Sequence, residues 1–191
     1  MGASDVFPWQ PDWQNSVSIS YRFDTVINSS EPGAEQSRIP LYSTMKRSMS
    51  CSVFSPGDMP AIENFMRRMH ADFFMAPIFV EPIYPIGNFG ESLAGATSIV
   101  AASGLLQKFN FVNLCNRVVL IDTSNPNIFE LHTLESISGN TGFVISGPVI
   151  LDFYIGRTVC FPCMRAYINN FFDNIATTAL ADTEITFEEY F

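Results

Sequence analysis

Residues 45–77 read MKRSMSCSVFSPGDMPAIENFMRRMHADFFMAP, and within them the hydrophobic period changes once. Met45, Arg47, Met49, Cys51 and Val53 alternate with Lys46, Ser48, Ser50 and Ser52, the period of two that marks a strand with one buried face. Ser55-Pro56-Gly57-Asp58 closes that strand. Asp58 is suited to cap a helix N-terminus, and Pro60 falls in the first turn, where a missing N–H costs nothing. Ile62, Phe65, Met66, Met69 and Phe73 then recur at helical spacing, with Glu63 and Arg67 four apart on the outside. The pattern predicts one amphipathic α-helix over about residues 59–74, ended by Pro77. Its apolar stripe is a core-facing surface before it is a cofactor box, and His70 beside it is a hydrogen-bonded structural histidine before it is a ligand.

Strands are expected on both sides of the helix. Val17, Ile19, Tyr21 and Phe23 alternate with polar residues, which predicts a half-buried strand from Val17 to Ile27. A second extended stretch runs from Glu35 to Val53, with Pro40 marking an edge or a bend. Beyond the helix, Ile78-Phe79-Val80 is expected to be a short strand. Residues 81–97 are dense in Pro, Gly and aromatic residues and are predicted to form a long loop whose apolar content packs on something, a neighbouring subunit included. Short strands follow at Ser98–Ala102, Arg117–Asp122, Ile128–Ile137, Gly142–Ile145, Val159–Tyr167 and Glu184–Tyr190. Turn chemistry at Thr123–Asn127 and Ser138–Thr141 joins them as an antiparallel meander.

The fold expected from this order is mainly β (α+β), an antiparallel β-sandwich or barrel with the single helix packed on it. At 191 residues one core is the default. Residues 1–16, which hold Trp9 and Trp13, are too proline-rich for helix or central strand and read as an extended arm, lying over its own core or over a neighbour. Residues 17–191 form one β-rich domain. Hydrophobic residues make up 47% of the chain and charged residues only 15%, against about 25% charged in an ordinary soluble domain. Such a surface suits a subunit that covers much of itself with copies of itself.

The formal charge of −9 is unevenly placed, with six basic against seven acidic residues up to Arg68 and four against twelve from Met69 onward. No basic stripe suited to binding a phosphate backbone is present. No secretion signal is evident, and no apolar run approaches the roughly 18 residues of a membrane span, so a protein made in a reducing cytosol and not held in a membrane is expected.

Cys160-Phe161-Pro162-Cys163 is the sharpest chemical motif, since two thiolates three apart can share a metal or cycle as a redox pair. A structural zinc site needs two further ligands from Cys51, Cys115, His70 or His132. The motif sits on an apolar strand-like run, and two packed thiols are the favoured reading. Only His70 and His132 could serve a nucleophile as base, and no Gly-x-Ser-x-Gly elbow exists, so no catalytic residue is assigned and an enzyme is not expected. Interface candidates are Trp9, Trp13, Ile83, Tyr84 and Phe89.

Taken in order, several segments resemble structural proteins of bacteriophage tails, in the group that includes tail-tube and distal-tail ring proteins. They are Trp9-Gln10-Pro11-Asp12-Trp13 ahead of the first strand, Gly33-Ala34-Glu35-Gln36-Ser37-Arg38 before a long strand, and the helix with its exit Phe73-Phe74-Met75-Ala76-Pro77-Ile78. Gly156-Arg157-Thr158-Val159-Cys160-Phe161-Pro162 and Thr183–Glu188 continue the order. Ser37 stands where relatives often carry arginine. The resemblance implies a tail-tube-like fold, no cofactor, and a homo-oligomeric ring, such as a hexamer, that contacts other tail proteins. It further implies a location in the virion after synthesis in the bacterial host's cytoplasm, and a channel through which DNA passes without specific binding. Alternatives are a neck or tail-terminator ring, a receptor- or carbohydrate-binding β-domain and, last, a thiol- or zinc-dependent enzyme using Cys160 and Cys163.

Overall fold

The computed structural model of the protein describes residues 6–22, 25–28, 37–40, 46–54, 57–69, 72–101, 116–168 and 182–189. The strands in chain order are β1 (Ser18–Arg22), β2 (Thr25–Asn28), β3 (Ser37–Pro40), β4 (Lys46–Phe54), β5 (Phe74–Pro77), β6 (Ser98–Val100), β7 (Arg117–Asp122), β8 (Asn125–Ser138), β9 (Gly142–Ile145), β10 (Thr158–Ile168) and β11 (Asp182–Glu189). The helix α1 spans Met59–Met69, between β4 and β5. Among the described residues the fold is thus mainly β with a single helix, and the strands pair antiparallel throughout.

Among the described residues nine strands form one open sheet in the order β1-β4-β11-β10-β7-β8-β9-β6, with β5 also on β10, while β2 and β3 pair only with each other. β10 joins the two parts of the sheet. Its Thr158–Pro162 segment pairs with β7, Cys163–Ala166 with β5, and Ala166–Ile168 with β11. All its positions are buried except Arg165 and Tyr167, which are half-buried, so both faces of the strand are covered. Proline is normally excluded from such a strand because it cannot donate to a ladder. Pro162 is tolerated because it lies between the end of the β5 pairing at Cys163 and the bridge from Ile83 to Cys160. There its carbonyl accepts the Ile78 N–H at 2.8 Å.

The helix begins where Asp58 offers its carbonyl to the Ala61 and Ile62 N–H groups at 2.8 and 2.9 Å. The Asp58 carboxylate also accepts the Asn127 side-chain amide at 3.0 Å, fastening the helix start to β8. Ile62, Phe65, Met66 and Met69 are buried, while Arg67 pairs with Glu63 at 2.5 Å on the outside. α1 is shorter than the expected 59–74. The Asp72 N–H bonds the Met69 carbonyl at 3.2 Å, and Phe74 is drawn into β5 opposite Ala166, so tertiary pairing overrides helical spacing. Pro77 accordingly ends β5 and not the helix. His70 lies outside the described residues.

Residues 6–9 are buried in the chain's own core. Val6 bridges to Met75, and the Phe7 N–H donates to the Met75 carbonyl at 3.0 Å. The Phe7 ring meets Trp9, Phe65 and Phe187 edge-on with centroids 5.2, 5.6 and 4.9 Å away. Phe74 closes the cluster at 5.3 Å from Phe65 and 5.5 Å from Phe187. One short segment therefore joins the helix, β5 and β11. Among the described residues of the expected arm, Val6–Trp9 and Pro11 are interior, and only Trp13–Ser16 are fully at the surface.

Two other expectations need correction. The stretches Val17–Ile27 and Glu35–Val53 are each divided, so that β1 pairs with β4 and β2 with β3, and Tyr21 at the end of β1 is exposed. Ile78-Phe79-Val80 is a turn and not a strand, because the Glu81 N–H bonds the Ile78 carbonyl at 2.9 Å. That turn directs Phe79 inward, edge-on to Phe161 at 5.3 Å.

Phe7→Ala is expected to destabilise the chain by about 3–5 kcal/mol, as for other buried aromatics truncated in a core. Denaturant unfolding measures it, and a loss below about 0.5 kcal/mol would show that the segment is an arm laid on a finished core.

Candidate functional site

Cys160 and Cys163 both lie on β10. Side chains three apart on a strand point to opposite faces, and at about 3.3 Å rise per residue their Cα atoms stand about 10 Å apart. They cannot share one ion or form a disulfide, which needs Cα atoms within about 7 Å. Cys51, Cys160 and Cys163 are buried and belong to no disulfide among the described residues. Burial pushes the Cys160 thiol well above its ordinary pKa, so it is no thiolate at neutral pH. The weak metal candidates are therefore separated by the strand that carries them. Cys115 and His70 lie outside the described residues.

His132 is buried on β8, with Nδ1 3.5 Å from the Ser146 carbonyl and Nε2 3.1 Å from Glu130 Oε1. The Glu130 approach does not meet hydrogen-bond geometry, so it is a close contact and not a hydrogen bond. Neither neighbour is a nucleophile. Glu130 instead accepts the backbone N–H groups of Ile150, at 2.9 and 3.1 Å, and of Leu151, at 3.0 Å. It works as a clamp that holds an exposed loop.

A second clamp sits at the β7–β8 turn. Asp122 is 3% exposed and accepts the Ser124 N–H at 2.8 Å and hydroxyl at 2.5 Å, with Arg157 at 3.4 Å. Burial pushes its carboxyl up, but the Ser124 hydrogen bonds, the Arg157 charge and the Asn125 N–H outweigh it and hold the pKa below the ordinary value. Thr123 donates its N–H and its hydroxyl to the Arg157 carbonyl at 2.8 and 2.9 Å.

These clamps support a rim of exposed apolar side chains. The long loop is zipped along 90–96 to residues 149–155 of the same chain. The bonds run from Gly90 N to Ile155 O, Leu93 N to Phe153 O, Gly95 N to Val149 O, Val149 N to Ala96 O and Ile155 N to Glu91 O, all between 2.7 and 3.0 Å. Phe89, 85% exposed, caps one end. Its ring lies against Gly156, where a Cβ would come within 2.4 Å and where φ of +93° also requires glycine. Ile150, 80% exposed, is held at the other end by Glu130. Ile86 and Leu151 add to the same exposed set.

Of the sequence-derived interface residues, Trp13, Tyr84 and Phe89 are exposed, whereas Trp9 and Ile83 are interior. Ile83 exchanges both backbone hydrogen bonds with Cys160 at 2.8 Å. The Trp9 indole N–H is buried without a partner among the described residues, which costs about 1–3 kcal/mol. Trp13 lines two adjoining surface clefts of about 420 and 460 Å³, which share Gln10 and Thr123, and Tyr84 lines the larger.

No protein-family model matches the chain, and no curated protein matches it. Sequence reasoning had Ile86 in the loop expected to pack on something, a neighbouring subunit included, but missed Ile150 and Leu151. Val149-Ile150-Leu151 reads as an interior run, and no local signal distinguishes it from one.

Because Asp122 has a depressed folded pKa, its stabilising effect is complete above the unfolded value of about 3.9 and is lost as pH falls through the folded pKa. Asp122→Asn is expected to cost about 1–3 kcal/mol at neutral pH, with the difference from the parent chain shrinking in strong acid. Urea unfolding from neutral to acid pH checks it; a pH-independent difference would contradict it.

Proposed function

We propose that the chain is a structural subunit of a bacteriophage tail or baseplate that closes with copies of itself into a ring around a DNA channel. Phe89 and Ile150 carry this reading, as they are large apolar side chains left in water on loops locked by backbone hydrogen bonds and by Glu130. A monomer has no use for holding such groups rigidly outward, while a subunit interface gains from having them ordered before contact. The order of sequence segments resembling tail-tube and distal-tail proteins supports the same reading. So does β1, which among the described residues pairs only with β4 and leaves an edge for a neighbour to extend.

The net charge of −9 suits a channel from which a phosphate backbone is repelled. Asp122 and Glu130 contribute little there, being engaged within the subunit.

Negative-stain images of the purified chain at high concentration are expected to show rings. Phe89→Asp and Ile150→Asp are expected to abolish them while changing stability by no more than about 0.5 kcal/mol, since both side chains are at the surface. Rings that persist in both variants would remove this rim from the interface.

A further inference from the structure

Trp13 and Tyr84 are 55% and 58% exposed, and both line the larger cleft together with Gln10, Val80 and Thr123. The adjoining cleft adds Gln14 and Asp12. At about 420 and 460 Å³ each cleft is within the roughly 300–1,000 Å³ range of small-ligand sites. The elements that form them are anchored. The Asp12 N–H bonds the Ser52 carbonyl of β4 at 2.7 Å, and Thr123 is bonded to Arg157.

The lining defines the ligand chemistry. Among the described residues it contains no lysine or arginine, and the Asp12 carboxylate is occupied by the Gln14 N–H and the Asn15 amide, both at 3.0 Å. A phosphate or carboxylate ligand would find no counter-charge. The side-chain amides of Gln10 and Gln14 engage no partner among the described residues, and each offers two donors and an acceptor. The Thr123 hydroxyl donates to Arg157 but keeps its acceptor capacity. An apolar ligand would bury these groups unpaired. A polyproline segment, the other common occupant of an aromatic-lined groove, presents carbonyl acceptors but no N–H, leaving the acceptors of Gln10, Gln14 and Thr123 unsatisfied. Sugar hydroxyls both donate and accept, and the apolar faces of pyranose rings stack on exposed aromatic rings.

We propose that this cleft binds a neutral saccharide, stacked on Trp13 and Tyr84 and hydrogen-bonded by Gln10, Gln14 and Thr123. The proposal stands apart from ring formation, since Phe89 and Ile150 line neither cleft.

The test is calorimetric titration of the full chain with maltotriose, cellotriose and chitotriose, alongside decaproline, with tryptophan fluorescence as a second readout. At least one trisaccharide is expected to saturate and to perturb emission. Trp13→Ala, Tyr84→Ala and Gln10→Ala are each expected to weaken binding about tenfold or more. Circular dichroism and unfolding midpoint verify that each variant is folded, and Phe89→Asp is expected to leave saccharide binding unchanged. Failure of all three sugars to saturate, full binding by folded Trp13→Ala, or binding of decaproline alone would overturn the proposal.

Discussion

The edge-to-face cluster around Phe7 is the contact on which the architecture depends. Its ring reaches Trp9 in its own segment, Phe65 on the helix and Phe187 on β11, and through these Phe74 on β5. Met49, Cys51 and Val53 of β4 are buried in the same core as the helix and the N-terminal segment. Aromatic pairs of this geometry contribute about 0.5–1.5 kcal/mol each beyond the area they bury, so the cluster holds the helix to the sheet by direction as well as by hydrophobicity.

β10 transmits that packing to the rest of the molecule. Its C-terminal half belongs with β5 and β11 beneath the aromatic cluster, and its N-terminal half with the β7-β8-β9 meander. Cys160-Phe161-Pro162-Cys163 is the junction. Phe161 packs on Phe79, Pro162 marks the change of partner, and the two thiols fill opposite faces. A motif that suggests metal or redox chemistry when read as spacing is, on a strand, a device for burying both sides.

The strands Arg117–Asp122 and Gly142–Ile145 lie where their sequence pattern places them, because a strand bounded by local turn residues needs no distant information. Glycine at 139, with φ of +64°, makes the expected hairpin turn. The helix end was not legible, since Phe73 and Phe74 satisfy both periods and the choice is made by Ala166, far along the chain. The exposed rim was half legible. Phe89 stands in a Gly-rich loop that announces itself, but Ile150 is turned outward by Glu130, twenty residues earlier in the chain.

On the proposed reading the rim serves contacts between copies, with hydrogen-bonded loops presenting apolar groups, while the interior thiols and the Glu130 clamp pack and fasten the subunit itself. Sedimentation equilibrium of the unmodified chain over a wide concentration range tests that account most directly. A closed homo-oligomer of defined mass, assembling as concentration rises, is the predicted result; a monomer at every concentration would contradict it.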